Sequence, residues 1–269
     1  MMGTMHLMSP TGFSVANCNY VSGDDGSVTS DETDPQAVFF KDDGTKMYVV
    51  GLSSDTVYQY ALSTAWDPSS KGAVEASFSV SFEDNQPQGL AFSDDGTKMY
   101  MSGSQNEEVF EYSLSTAWDV STATYTFSSL SVSTEGTNPG GIWFKPDGTK
   151  LFVLCDSNDT VFQYSLSTAW DITSASYDSK SFSISTQESQ SGGICFTSDG
   201  GKMLAIGNLN NTIYEYDLST DWDVSTAAYN SVSKDVSSQD SLMYDVFITD
   251  DDTLVFTVGS TNDKVYKYA

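Results

Sequence analysis

Phe40-Lys41-Asp42-Asp43-Gly44-Thr45-Lys46-Met47-Tyr48 decides the reading of this chain, because the stretch keeps returning. It comes back as Phe92-Ser93-Asp94-Asp95-Gly96-Thr97-Lys98-Met99-Tyr100 and as Phe144-Lys145-Pro146-Asp147-Gly148-Thr149-Lys150-Leu151-Phe152. The fourth copy is Phe196-Thr197-Ser198-Asp199-Gly200-Gly201-Lys202-Met203-Leu204, and each copy starts 52 residues after the last. A fifth, Ile248 to Leu254, keeps the step and drops one residue after its turn. A second motif, Leu-Ser-Thr-Ala-Trp-Asp, places Trp66, Trp118, Trp170 and Trp222 at the same interval, the last copy having Asp221 for Ala.

Working outward, each repeat reads as four strands. A short apolar run (Gly89 to Phe92) leads into an Asp-Asp-Gly-Thr turn, where glycine supplies the positive φ that a hairpin needs. Lys98 to Ser102 follows, then the alternating Glu108 to Leu114, then the more polar Tyr125 to Val132. Four antiparallel strands repeated at roughly 40–50 residues are the mark of propeller blades. Residues 35–86, 87–138, 139–190 and 191–242 make four blades, and 243–269 supplies three strands of a fifth. Gly26 to Ser30 aligns with the fourth-strand segment Phe78 to Phe82, so the N-terminus is expected to add the missing outer strand and close the ring. The expectation is an all-β, five-bladed β-propeller, one domain over 1–269, with residues 1–20 as a flexible tail.

Phe144 to Val153 resembles the Ser-Pro-Asp-Gly-Lys repeats of the YVTN/TolB-type propellers in the wider WD40-like superfamily. The Leu-Ser-Thr-Ala-Trp-Asp element is similar to tandem repeats of marine bacterial and phage proteins. The resemblance implies the fold; propellers host binding, scaffolding and catalysis alike.

Charge narrows the function classes. The 269 residues carry 37 acidic side chains against 11 basic ones, all lysine, for a formal charge of −26. Such a surface is repelled by nucleic acid and by anionic lipid. No apolar run approaches the roughly 20 residues of a membrane span. Acid-rich, arginine-free surfaces suit salty water, where self-repulsion is screened. Cys18, Cys155 and Cys195 form neither a disulfide framework nor a metal-ligand spacing. Met1 to Phe13 shows no secretory signal, and the expected setting is extracellular or on a virion or cell surface.

Candidate binding residues gather on the face opposite the Asp-Gly turns. Asp55, Glu107, Asp159, Asn211 and Asp263 recur at 52-residue steps between second and third strands. Gln36, Gln88 and Tyr244 enter the first strands, beside Glu32, Asp84, Glu188 and Asp240. Asp245 stands where other blades have Ala37, Gly89, Gly141 and Gly193, and can serve as a site residue or bond a free backbone group. Asp156 and Asp159 are a candidate calcium pair, calcium being a hard cation that takes carboxylate oxygens. The Asp-Gly turns and the repeated tryptophans each read as structural: a self-bonded turn and a packing plug.

Catalysis finds no support at this level. First-strand positions hold Ala or Gly in four blades, and His6, the one histidine, lies in the tail, leaving no base for a serine triad. The expected function is therefore a non-catalytic recognition module binding a glycan or another surface ligand for attachment. The alternative is a structural protein of a virion or cell-surface assembly. Neither carries a required cofactor.

Overall fold

A computed structural model describes residues 12–269, and His6 lies outside them. Strand β1 (Gly26–Ser27) precedes the first blade. Blade I is β2 (Pro35–Phe40), β3 (Lys46–Gly51), β4 (Thr56–Leu62) and β5 (Lys71–Ser79), paired in that order. Blade II is β6 (Pro87–Phe92), β7 (Lys98–Gly103), β8 (Glu108–Leu114) and β9 (Ala123–Ser131). Blade III is β10 (Pro139–Phe144), β11 (Lys150–Cys155), β12 (Thr160–Leu166) and β13 (Ala175–Ser183). Blade IV is β14 (Ser191–Phe196), β15 (Lys202–Gly207), β16 (Thr212–Leu218) and β17 (Ala227–Asp235). In blade V, β18 (Met243–Ile248), β19 (Val255–Gly259) and β20 (Lys264–Tyr268) are completed by β1, antiparallel to β20 with Gly26 opposite Val265. The chain is a five-bladed β-propeller.

Burial follows strand position. The second strands are almost wholly enclosed, Met47 to Gly51 being buried throughout, and outer strands such as β5 alternate between half-buried and exposed. Each blade packs its apolar face on the next, so the core is five inter-blade clusters rather than one.

The Trp motif explains itself locally. Trp66, Trp118, Trp170 and Trp222 all take positive φ, near +60°, and each lies against the turn glycine of its own blade. A Cβ on Gly44, Gly96, Gly148 or Gly200 would collide with that indole. In blade V the glycine is replaced, and Asp252 occupies the left-handed turn position with φ 55°. The motif's Asp caps the short turn that follows: Asp67 accepts from the Ser69 N–H at 2.9 Å. The Asp of the Asp-Gly turn is likewise self-bonded, Asp95 accepting from the Thr97 N–H at 2.9 Å.

Closure involves more chain than the strand pattern implies. Residues 12–20 are docked, which departs from the flexible tail expected for 1–20. Val15 is fully buried and its N–H donates to Glu215 Oε2 at 2.8 Å. The same bond joins Val120 to Gln59 (3.0 Å), Ile172 to Glu111 (3.3 Å) and Val224 to Gln163 (3.1 Å). The turn Val15–Asn17 thus stands against blade IV as the turns at Val120, Ile172 and Val224 stand against blades I, II and III. Short apolar content hid it: one valine in a polar stretch gives no periodic signal.

Candidate functional site

The five first strands converge on the axis, and glycine lets them meet. A Cβ on Gly141 would lie 2.8 Å from the Gly193 Cα, and one on Gly89 would lie 2.6 Å from the Gly140 carbonyl oxygen. This constriction divides the centre of the ring into two cavities.

On the loop face the cavity holds about 320 Å³, lined among others by Gln36, Gln88, Asn138, Asp156, Gln190, Ser191, Asn208 and Tyr244. Its polarity comes from residues at the entry to the inner strands and just past the ends of the second strands. Asp156 is the one carboxylate among its lining residues; the equivalent positions are Leu52, Ser104, Asn208 and Ser260. It is half-buried and accepts from Asn138 Nδ2 at 2.8 Å. Desolvation raises its carboxyl above the ordinary range, the neighbouring Asp159 adding to the rise and the Asn138 bond opposing it. Asn138 sits at φ 58°, a left-handed conformation that asparagine tolerates.

Blade III owes this arrangement to an internal swap. In the other blades a carboxylate ties the loop together across a facing glycine. Glu32 faces Gly51, Asp84 faces Gly103, Glu188 faces Gly207 and Asp240 faces Gly259. Asp84, for example, accepts from the Gln86 and Asn106 N–H groups at 2.8 Å each. In blade III the glycine is Gly136 and the larger partner is Cys155. Its loop carries no such central acceptor, and Asp156 at the end of β11 faces the cavity instead.

Two further residues of the lining hold a buried, unsatisfied side-chain oxygen. Ser191 Oγ and Asn208 Oδ1 line the same cavity and have no hydrogen-bond partner among the described residues. Such orphans call for an explanation, often an unseen water or ligand.

The structure brings some sequence candidates together and not others. Gln36, Gln88, Tyr244 and Asp156 line the cavity. Asp55, Glu107, Asp159, Asn211 and Asp263 do not; they hold the left-handed turn position (φ 45–59°), and their carbonyls accept from the end of the outer strand, as Val80 N donates to Asp55 O at 2.8 Å. Asn211 also reaches blade V, donating to Ser241 O at 3.0 Å and accepting from Met243 N at 2.9 Å. Asp245 lies one step deeper, buried, with Oδ2 accepting from the Val38 N–H at 3.0 Å. Burial pushes its carboxyl up to about 8. Among the described residues, no three His, Cys, Asp or Glu side chains gather into a metal-holding group, Asp156 and Asp159 included. Asn138, Gln190, Ser191 and Asn208 were not singled out in sequence. Ser191 departs from the proline of blades I to III, and the other three stand at positions that vary from blade to blade, a signal that carries meaning only once they share a cavity.

No family model and no curated protein matches the chain, so the likeness to YVTN/TolB-type repeats stays a likeness. Among solved structures, a putative 6-phosphogluconolactonase from Bacteroides uniformis is similar at TM-score 0.54 and 13% identity, over 87% of this chain and 66% of that one. A functionally unknown protein from Desulfotomaculum acetoxidans reaches TM-score 0.51 at 14% identity, over 84% of this chain and 62% of that one. The periplasmic gluconolactonase of Pseudomonas aeruginosa matches at TM-score 0.49 and 16%, over 75% and 54%. The chain spans less than two thirds of the length of each of these structures, and likenesses this distant establish the fold alone.

They also correct the functional expectation. A non-catalytic attachment or assembly module was inferred because no acid or base was found on the first strands. The propellers sharing this fold include one named as a lactonase, so the fold is no argument against an enzyme. The carboxylate to consider, Asp156, stands just past a second strand rather than on a first strand.

Proposed function

We propose that this protein hydrolyses small, uncharged, hydroxyl-rich lactones or related esters in the loop-face cavity. The observation that carries the reading is Asp156: a single carboxylate, raised in pKa, in a polar cavity of otherwise neutral side chains. A general base works best when its pKa lies near the operating pH, and partial desolvation moves a carboxyl in that direction. Asp156 would take a proton from the water attacking the lactone carbonyl, and Asn138 would hold the carboxylate in place. The tetrahedral oxyanion would receive neutral donors, the amides of Gln88 and Gln190 and the Tyr244 hydroxyl. Ring opening returns the proton to the leaving alkoxide. The unpaired oxygens of Ser191 and Asn208 would accept from substrate hydroxyls.

Charge selects against a phosphorylated substrate. No lysine lines the cavity, and the net charge of −26 opposes an incoming phosphate. The same field repels the carboxylate product and favours its release. A lactone is the substrate class in the name of the similar Bacteroides structure, and the electrostatics of this chain argue for an unphosphorylated one. The test is hydrolysis of glucono-δ-lactone, followed by proton release above the spontaneous rate, for wild type and Asp156→Asn. Turnover lost in the variant supports the reading, and a wild-type rate equal to the background refutes it.

A further inference from the structure

The second cavity, on the turn face, is chemically unlike the first. It holds about 70 Å³ and opens among the Asp-Gly turns. A water needs roughly 10–15 Å³ on such a measure, so there is room for several waters or one small organic group. Its walls are aromatic. Phe39 and Phe247 lie 5.3 Å apart edge to face, and the Trp143 indole stands 5.8 Å from Phe247. Trp143 is the one tryptophan outside the repeated motif; its equivalents are Phe39, Ala91, Cys195 and Phe247. It is not needed to cover a turn glycine.

Three carboxylates stand at the mouth. Asp42, Asp94 and Asp250 come from blades I, II and V, which are consecutive around the ring, and Pro146 completes the lining on blade III. No lysine lines the cavity. Desolvation raises the Asp42 carboxyl to about 7, with Asp250 and Asp94 adding like charge, although its outer surface meets solvent. The mouth thus concentrates negative potential over a floor of π faces. The rings supply no oxygen ligands, so the six to eight that calcium takes are not at hand. An onium ion needs none: it is attracted to ring faces and to diffuse negative charge.

We propose that the turn-face cavity binds a small organic cation of the quaternary-ammonium class, seated against Trp143, Phe39 and Phe247 in the field of Asp42, Asp94 and Asp250. A hydroxyl on the ligand fits one further feature. The Trp143 indole N–H is buried without a partner among the described residues, and a ligand oxygen can accept from it. The site is separate from the loop-face cavity and does not depend on the lactonase reading.

The test uses choline chloride and its uncharged carbon isostere, in which the quaternary nitrogen is a carbon, titrated into the full chain by calorimetry and ligand-observed NMR. Choline is expected to bind saturably and the isostere about tenfold more weakly or not at all, as loss of a cation–π and charge interaction dictates. Asp42→Asn with Asp94→Asn, both at exposed positions, should weaken choline while leaving the fold intact by circular dichroism. Trp143→Leu should remove binding, and Asp156→Asn on the other face should not alter it. Equal binding of choline and isostere would overturn the proposal, reducing the cavity to an apolar slot. So would the absence of saturable choline binding, or choline affinity unchanged in both turn-face variants.

Discussion

The two ends of this propeller are built from the same repeat and differ in how strictly they obey it. The turn face repeats almost without variation: Gly beneath Trp, Asp bonding its own turn, Asp capping the short turn after Trp. These elements satisfy local structural demands; blade V, with Asp252 for the turn glycine, and residues nearest the axis, such as Trp143 and Pro146, break rank. On the loop face the pairing of a carboxylate with a facing glycine holds in four blades and is abandoned in the third. There Gly136 and Cys155 exchange sizes, and Asp156 turns to the cavity. Regularity marks what holds the ring together. Departure marks where a site can form.

The largest effect expected to sharpen this contrast is on turnover. Asp156→Asn preserves the bond geometry with Asn138 but removes the base, and should lower lactone hydrolysis by roughly 10²–10⁴-fold. On the turn face the equivalent insult is structural. Trp118 stacks on Phe92 at 5.5 Å, and its carbonyl accepts from the Tyr48 hydroxyl of the neighbouring blade at 2.9 Å. Trp118→Ala should cost about 3–5 kcal/mol by denaturant unfolding, as large-to-small core changes do. Its turnover per folded molecule should be unchanged.

The swap in blade III gives a smaller and more diagnostic effect. Gly136→Asp alone should destabilise, because its Cβ would approach the Cys155 Cβ to 2.7 Å. Adding Cys155→Gly should recover most of the loss, with a coupling of roughly 0.5–3 kcal/mol in a double-mutant cycle. Additive behaviour would break the claim that the two positions compensate.

The smallest effects are those of pH, and their sign is set by the raised carboxyls. Asp245 and Asp42 hold their protons to about 8 and about 7 in the fold, and Asp55 and Asp263 are also raised by desolvation. Unfolded aspartates ionise near 3.9, so between these values the folded state binds more protons and stability falls as pH rises. The contribution is complete below about pH 4 and lost through the folded values. Groups such as Asp95, lowered by the Thr97 N–H and hydroxyl, act oppositely and lose their share as pH falls below the ordinary carboxylate range. The denaturation midpoint should therefore be higher at about pH 5 than at about pH 9, and Asp245→Asn should flatten the alkaline part of that slope.

Sequence made the blades legible because five copies of one pattern reveal what each position is for. Gly44, Trp66 and Asp67 could be assigned structural roles by recurrence alone, and β1 could be placed by alignment with Phe78 to Phe82. The site was not legible in the same way. Asp55 and its equivalents recur as strictly as any site residue would, yet their carbonyls close turns and their side chains lie outside the cavity. Asn138 precedes β10, Asp156 follows β11 and Ser191 opens β14, and nothing in their spacing shows that they meet around one space. Docking of Val15 on Glu215 was hidden for the same reason, the partners standing 200 residues apart.

The most direct test of the central claim, that Asp156 serves as the base of a hydrolytic site, is the pH profile of glucono-δ-lactone turnover in wild type and Asp156→Asn. The account predicts a wild-type rate that rises with pH through an apparent pKa above the ordinary aspartate value of about 3.9, a limb that vanishes with the variant. A profile identical in both proteins, or indistinguishable from uncatalysed opening, would contradict it.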